Sequence, residues 1–346
     1  MNTHRQILPE WAPQSAVMLT WPHDKTDWKD NLEAVESVYL AMVKEISKHE
    51  QLLIVCRDPQ QQRHIEHTIK QPELISRCVF AFTDSNDSWA RDHGPISIIE
   101  HGKPRLLDFA FNGWGKKHAA EKDNAINRQL AEMQIFDCPM ESIDLILEGG
   151  SIEADGNGSI MTTELCLLTD TRNPQLSKTA ISDQLKQLLG VEQILWLSQG
   201  HLAGDDTDSH IDTLARFCDR DTIAYCSCDE SDKEHYVALK AMEAELKQFR
   251  NRQGQAYQLL PLPLPSPIYN EQGQRLPATY ANFLIINQAV LVPVYNDAMD
   301  EVALQNLQQV FHDREVIAIN CLPIIQQYGS LHCLTMQLPA QVLRHA

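Results

Sequence analysis

The chain has 346 residues, 43% of them hydrophobic, which is enough to bury a large core and excludes a disordered, collagen-like or low-complexity protein. Its formal net charge is −18, from 47 acidic and 29 basic residues. That sign argues against nucleic acid as a partner and mildly favours cationic ligands, although many soluble enzymes are simply acidic.

The N-terminal segment MNTHRQILPEWAPQSAV has no apolar h-region behind a basic start, so no secretory signal is expected. Helical spacing follows at Asn31–Ser47, then β-rich runs at Gln51–Cys56, Val79–Phe82 and Ile96–Ile99. Lys122–Met133 and Ser177–Leu189 read as helices, Thr222–Tyr225 as a strand and Lys233–Phe249 as a helix. Gln258–Pro277 is proline-rich and reads as a long ordered surface loop rather than a polyproline ligand. Phe283–Ile286, Ala303–Phe311 and Val316–Ile319 complete the series as strand, helix and strand. The most apolar stretch, Phe283–Val294, is interrupted by Asn287, Gln288 and Pro293 and is too short to span a bilayer. Nine cysteines without small-domain spacing fit reduced thiols in a cytoplasmic protein. No domain boundary shows, so residues 1–346 read as one mixed α/β domain of repeated α/β units, with a homodimer left open.

Four islands concentrate glycine, charge and nucleophiles beside apolar runs: WARDHGP at Trp89–Pro95, EGGS at Glu148–Ser151, DDTDSHID at Asp205–Asp212 and YGSLHC at Tyr328–Cys333. Strand ends next to such islands hold side chains rigidly at a pocket mouth. Most cysteines are small buried hydrophobes. Cys333 stands apart, because it follows a Gly-Ser turn and His332, where an imidazolium or a bound cation can lower a thiol pKa from about 8.5. If the segment around His210 and Asp212 is extended, residues two apart share a face, one serving as proton shuttle and the other as anionic clamp. The plainer reading is a solvated acidic turn, given Asp205, Asp206 and Asp208 nearby. A divalent metal is the sharper rival, although EF-hand spacing, H-E-x-x-H and C-x-x-C are all missing. Asp92 and Glu148 are each ordinary turn acids alone. Together with His210 and Cys333 they suggest recognition of a planar cation, since carboxylates grip a guanidinium bidentately.

The chain resembles the agmatine deiminase family, related to Porphyromonas-type peptidylarginine deiminases. The resemblance rests on PEWAPQSAVMLTWPHDKTDW, SWARDHGPI, FNGWG, LEGGSIEADGNGSIMTTELCLL, RNP at Arg172–Pro174, DDTDSHIDTLARF, RLPATYANFLIIN, VLVPVYND, DREV and GSLHCLTMQ. It implies a pentein fold, a five-bladed α/β propeller of ββαβ units with pseudo-fivefold symmetry. It also implies Cys333 as nucleophile, His210 as general acid/base, Asp92 and Asp212 as guanidinium clamps, and Glu148 holding one nitrogen. The implied activity is hydrolysis of agmatine to N-carbamoylputrescine and ammonia, for polyamine synthesis, with neither metal nor organic cofactor. Trp89, Trp114, Asp208 and Gly329 are the expected substrate contacts.

At three places the chain departs from the family pattern in ways that bear on substrate identity. Ser209 stands where a Gly usually precedes the catalytic pair, Tyr328 opens a loop that is usually Gly-rich, and Lys116 with Lys117 follow FNGWG where a Gly is common. Peptidyl-arginine, free arginine or another guanidino compound are therefore alternative substrates of the same chemistry. A non-catalytic guanidine-binding protein and a metal-dependent hydrolase using Asp205–Asp212 are the alternatives of a different class.

Overall fold

A computed structural model describes residues 5–344. The strands in chain order begin with β1 (Arg5–Ile7), β2 (Gln14–Thr20), β3 (Gln51–Cys56), β4 (Cys78–Phe82), β5 (Ile96–Glu100) and β6 (Lys103–Ala110). They continue with β7 (Met140–Ile146), β8 (Ile152–Ala154), β9 (Ser159–Thr163), β10 (Gln193–Leu197), β11 (Ala215–Phe217) and β12 (Thr222–Cys226). The last five are β13 (Gln258–Leu262), β14 (Leu284–Ile286), β15 (Ala289–Val294), β16 (Glu315–Asn320) and β17 (Thr335–Pro339).

These strands pair into five separate sheets, and each sheet contains the same motif. An antiparallel pair is extended by a third strand parallel to the second: β5–β6–β7, β8–β9–β10, β11–β12–β13 and β14–β15–β16. The fifth copy is assembled from distant parts of the chain, with β17 antiparallel to β2 and β2 parallel to β3. Strands β1 and β4 add an edge to two of the sheets. A parallel neighbour requires a crossover, and each unit makes it with a helix: Leu32–Ile46, Ile126–Glu132, Lys178–Leu189, Tyr236–Leu246 and Met299–Val310. The third is representative. Ser177 caps it by accepting from the Ala180 N–H, Ile181, Leu185 and Leu189 form the buried stripe, and Gly190 ends it in a left-handed conformation. The observed fold is mixed α/β.

Most expected elements lie where the sequence pattern puts them, with ends moved by a few residues. Three differ. Lys122–Met133 divides into a tight turn at Asp123–Ala125 and a helix at Ile126–Glu132, because the Asp123 carboxylate is drawn in to accept the Asn86 N–H at 2.7 Å. The helix Pro59–Ile69 escaped notice because its buried side is only Gln61, Ile65 and Ile69, although Asp58 caps it through the Gln60 and Gln61 N–H groups. The segment Gln258–Pro277 is not loop throughout, since its first residues form β13. Pro261 is tolerated there because β13 is an edge strand, where a missing N–H breaks no ladder bond. No helix among the described residues is long and apolar enough to cross a membrane.

Candidate active site

In every unit the first strand is preceded by a short turn, and the five turns supply the site. Asp92 lies in Ala90–His93 before β5, and Glu148 leads into Gly149–Ser151 before β8. His210 caps the turn Ile211–Thr213, which contains Asp212 and runs into β11. Asn282 precedes β14, and His332 and Cys333 lie in His332–Leu334 before β17. Glu148, His210, Asp212, Asn282 and His332 have no exposed surface, while Asp92 and Cys333 retain 4%. Three of them meet at Gly150: a Cβ there would lie 2.7 Å from His210 Nδ1, 2.8 Å from Asp92 Oδ1 and 3.1 Å from Asp212 Oδ2. His210 and Asp212 share the site through this turn, not through the strand alternation that the sequence suggested, because the chain coils between them.

The electrostatics follow from burial among charges. Asp92 Oδ1 accepts from the Gly150 N–H at 3.0 Å and Oδ2 from Trp114 Nε1 at 2.9 Å. Burial pushes the Asp92 carboxyl up to about 6 against the pull of His210, and Asp212 adds to the rise. Burial alone would lower His210. The neighbouring Asp92, 3.6 Å from Nδ1, and then Cys166 and Glu148 outweigh it and raise the imidazole to about 10. Asp212 is held below the usual carboxylate range despite its burial, chiefly by the hydrogen bond and charge of His332. The Cys333 thiol is pushed well up by burial, then by Asp212 and Asp92. Its Sγ takes a hydrogen bond from Asn282 Nδ2 at 3.3 Å and lies 3.6 Å from Asp212 Oδ2. Among the described residues Asp212 Oδ1 and both ring nitrogens of His210 have no hydrogen-bond partner, Asp92 Oδ1 being an ion-pair neighbour of His210 Nδ1 at 3.6 Å. Buried polar atoms rarely stay unpaired, so these three invite a ligand.

Above them opens a cavity of about 440 Å³ with Asp92 and Cys333 among its lining residues, Trp89 and Trp114 beside them, and Asp27, Asp87, Asp206, Lys25 and Lys117 among the rest. Gly329 lies against the Trp89 ring, where a Cβ would come within 2.2 Å of it. Trp114 adopts a left-handed backbone at φ 53°, a strained state for an aromatic residue that the surrounding site must hold. Trp89, Trp114 and Gly329 line the cavity, and Asp208 is not among its lining residues. Asp208 is instead paired with Arg172 at 2.7 Å and Lys117 at 2.9 Å. Glu148 is likewise engaged, both its oxygens accepting from Arg172 Nε at 2.8 and 3.0 Å.

Arg172, Asn282 and Gly150 were not singled out by sequence reasoning. Arg172 and Asn282 stand in RNP and RLPATYANFLIIN, far in sequence from the residues they touch. The three family departures share one feature: Lys116 (φ 70°), Ser209 (φ 64°) and Tyr328 (φ 66°) all carry the left-handed backbone that glycine adopts most easily. The loops keep a glycine shape, and the added Tyr328 side chain becomes part of the cavity wall.

Because Arg172 and Glu148 form a fully buried pair, removing the cation strands a carboxylate. Arg172→Met is expected to destabilise the protein by about 3–5 kcal/mol. Arg172→Met with Glu148→Gln should recover most of that loss, as read by urea unfolding. Equal stabilities of the single and double variants would contradict the pairing.

Two buried groups bring three ligand-type atoms within 4.8 Å: Glu148 with Cys166 and His210, and Glu10 with Glu153 and His332. Each already holds a guanidinium in the place of an ion, Arg172 on Glu148 and Arg216 on both Glu10 and Glu153. Asp205 is turned onto its own loop, accepting from Thr207 Oγ1 and the Ser209 N–H at 2.6 Å. The acidic run is therefore a self-capped turn.

The structure thus places a buried thiol beside a group of one imidazole and two carboxylates at the foot of the cavity. The chain belongs to the Porphyromonas-type peptidyl-arginine deiminase family, whose model matches residues 6–339. It is 31% identical to the agmatine deiminase of Stutzerimonas stutzeri, over 97% of this chain and 95% of that one. Among solved structures, agmatine deiminase of C. jejuni with substrate bound is 40% identical at a TM-score of 0.91, covering 98% of this chain and 97% of that one. A Porphyromonas gingivalis structure provisionally named an arginine deiminase is 50% identical at a TM-score of 0.93, covering 98% of this chain and 100% of that one.

Proposed function

We propose that the protein is an agmatine deiminase, a cytoplasmic single-domain enzyme whose five ββαβ units surround the site as the blades of a pentein propeller. The observation that carries the chemistry is that His210, Asp92 and Asp212 meet around Gly150, with Asp212 Oδ2 3.6 Å from Cys333 Sγ, while Asp212 Oδ1 and the His210 ring nitrogens keep hydrogen-bonding capacity to spare. A guanidinium supplies the N–H donors that the carboxylates want, and its central carbon then faces Sγ. The thiol, unfavourable as an anion among Asp92 and Asp212, releases its proton to solvent as that cation binds and neutralises them.

The steps follow from these charges. The thiolate forms a C–S bond to the guanidinium carbon, giving a tetrahedral adduct stabilised by Asp92 and Asp212. His210, cationic at neutral pH, protonates a terminal nitrogen. The C–N bond breaks, ammonia leaves and an S-alkylthiouronium remains. His210, now neutral, takes a proton from water. The hydroxide adds to the carbon, the hydroxyl group loses its proton to solvent as the C–S bond breaks, and the neutral ureido product departs with the thiolate restored.

Asp92 must be ionised to hold a cation. Its folded-state value is raised to about 6, so protonation sets in there as pH falls. Turnover at limiting substrate is expected to drop as pH falls through about 6, and His210 keeps its proton across the same range. A profile of kcat/KM against pH checks this, and full activity at pH 4.5 would rule it out.

The substrate is the finer question. Asp27, Asp87 and Asp206 in the cavity lining suit an amine-tailed guanidine, and burial raises Asp87 to about 6. Lys25 and Lys117 in the same lining favour a second reading, free arginine with its carboxylate. Ammonia release from agmatine, arginine and a blocked arginyl peptide, measured with EDTA present, decides between them. Agmatine turnover alone supports the proposal; turnover of arginine or the peptide alone replaces the substrate and keeps the chemistry.

A further inference from the structure

His332 stands beside the nucleophile and is fully buried, yet its side chain points away from the cavity into a charged network. Its Nδ1 lies 2.7 Å from Asp212 Oδ2, and its Nε2 lies 2.6 Å from Glu10 Oε1. The Glu10 end is held by Arg216, which also pairs with Glu153 and reaches His332 Nε2 at 3.1 Å, and by Arg91 at 3.2 Å. The His332 N–H is fixed by Asn282 Oδ1 at 2.9 Å. Of the two Asp212 oxygens, Oδ2 is thus taken by His332 and Asn282, while Oδ1 is left unpaired.

We propose that His332 is a positioning residue for the deimination site, bridging Glu10 to Asp212 so that Asp212 Oδ2 is anchored and Oδ1 is presented, ionised, to the guanidinium. This rests on the function proposed above. A carboxylate rotates about its last bond at little cost, so a clamp with one free oxygen needs a rigid partner on the other. His332 supplies it because its own ring is held at both nitrogens. It also supplies the donor that keeps a fully buried carboxylate charged. The groups facing Asp212 are His332, His210 and Arg216, which favour its anion, together with Asn282, Cys333 and the acids Asp92 and Glu153. Burial, Arg216 and Arg91 pull the His332 imidazole itself down, so its part is that of a hydrogen-bond donor. With His332 gone, burial dominates and the Asp212 carboxyl rises.

The test is a kcat/KM profile against pH for the parent, His332→Ala and His332→Asn, with KM and kcat resolved separately. In the parent the acid limb belongs to Asp92. His332→Ala is expected to raise KM by about 10- to 100-fold and to move the acid limb to higher pH. His332→Asn keeps a side-chain N–H near the Nδ1 position and should restore most of both. A merely structural role would lower Tm and the active fraction while leaving the limb and KM in place, and that result overturns the proposal. If His332→Ala does not fold, His332→Asn against His332→Leu gives the same comparison. A parent that turns over no guanidine refutes the proposed function itself, whereas an active parent matched by His332→Ala refutes only the positioning role.

Discussion

Cys333→Ala is expected to lower turnover by about 10⁴-fold or more while agmatine still binds within a few-fold of its original affinity. The two halves have separate causes. Turnover depends on the C–S bond, and no other thiol among the described residues replaces the sulfur: Cys333 lines the cavity, whereas Cys166 is buried beside His210 and Glu148 and Cys226 is buried on Thr213 and Thr279. Binding depends on Asp92, Asp212 and the tryptophan walls; Asp212 Oδ2 loses its 3.6 Å contact with the sulfur in the variant but stays anchored on His332 at 2.7 Å. Titration calorimetry on the inactive variant measures the second half. The same charges predict how the thiol behaves in the empty protein. Burial, Asp212 and Asp92 hold it protonated, so iodoacetamide should label Cys333 slowly at pH 7. Activity surviving in Cys333→Ala would remove the nucleophile assignment and with it the whole mechanism.

How much of this was legible in the sequence depends on how local each relationship is. Helices with a clean apolar stripe, such as Lys178–Leu189, and β-rich runs such as Gln51–Cys56 announce themselves because their burial pattern is periodic. Pro59–Ile69 does not, since three buried residues out of a polar helix leave little pattern, and only its Asp58 cap marks it. The fivefold recurrence of units is invisible as a sequence repeat, because what recurs is strand pairing and not residue type. The site shows the same division. Asp92, Glu148, His210, Asp212 and Cys333 each sit in a compact island of charge and glycine; the structure sets Asp92, His210 and Asp212 around Gly150 with Cys333 beside Asp212, and closes Glu148 onto Arg172. Asn282 is the fourth unit's contribution from the corresponding turn, yet it lies in an apolar run without a charged neighbour. Only pairing across 51 residues, to Cys333, reveals what it does. Asp208 misled for the opposite reason: it belongs to an acidic island, but Arg172 and Lys117 claim its carboxylate.

Gly150→Ala should cost about 100-fold or more in kcat/KM with only a modest loss of stability. The added methyl would sit 2.7 Å from His210 Nδ1 and 2.8 Å from Asp92 Oδ1, closer than real carbon contacts allow, so something must move. What it meets are side-chain tips, which can swing aside without unfolding a strand, and they are the atoms that must stay in register for catalysis. Displacements on the order of 1 Å at reacting groups typically cost two decades of rate. Gly190→Ala provides the contrast. Its methyl would meet the Arg5 carbonyl oxygen at 1.8 Å, on a backbone already at φ 68°, so the clash falls on main chain far from Cys333. That variant should lose stability and, where folded, retain kcat/KM. Paired measurements of Tm and kcat/KM on the two variants separate a glycine that makes room for chemistry from one that makes room for the fold. If Gly150→Ala keeps full activity, His210, Asp92 and Asp212 do not act from their places around this glycine, and the guanidinium must bind elsewhere.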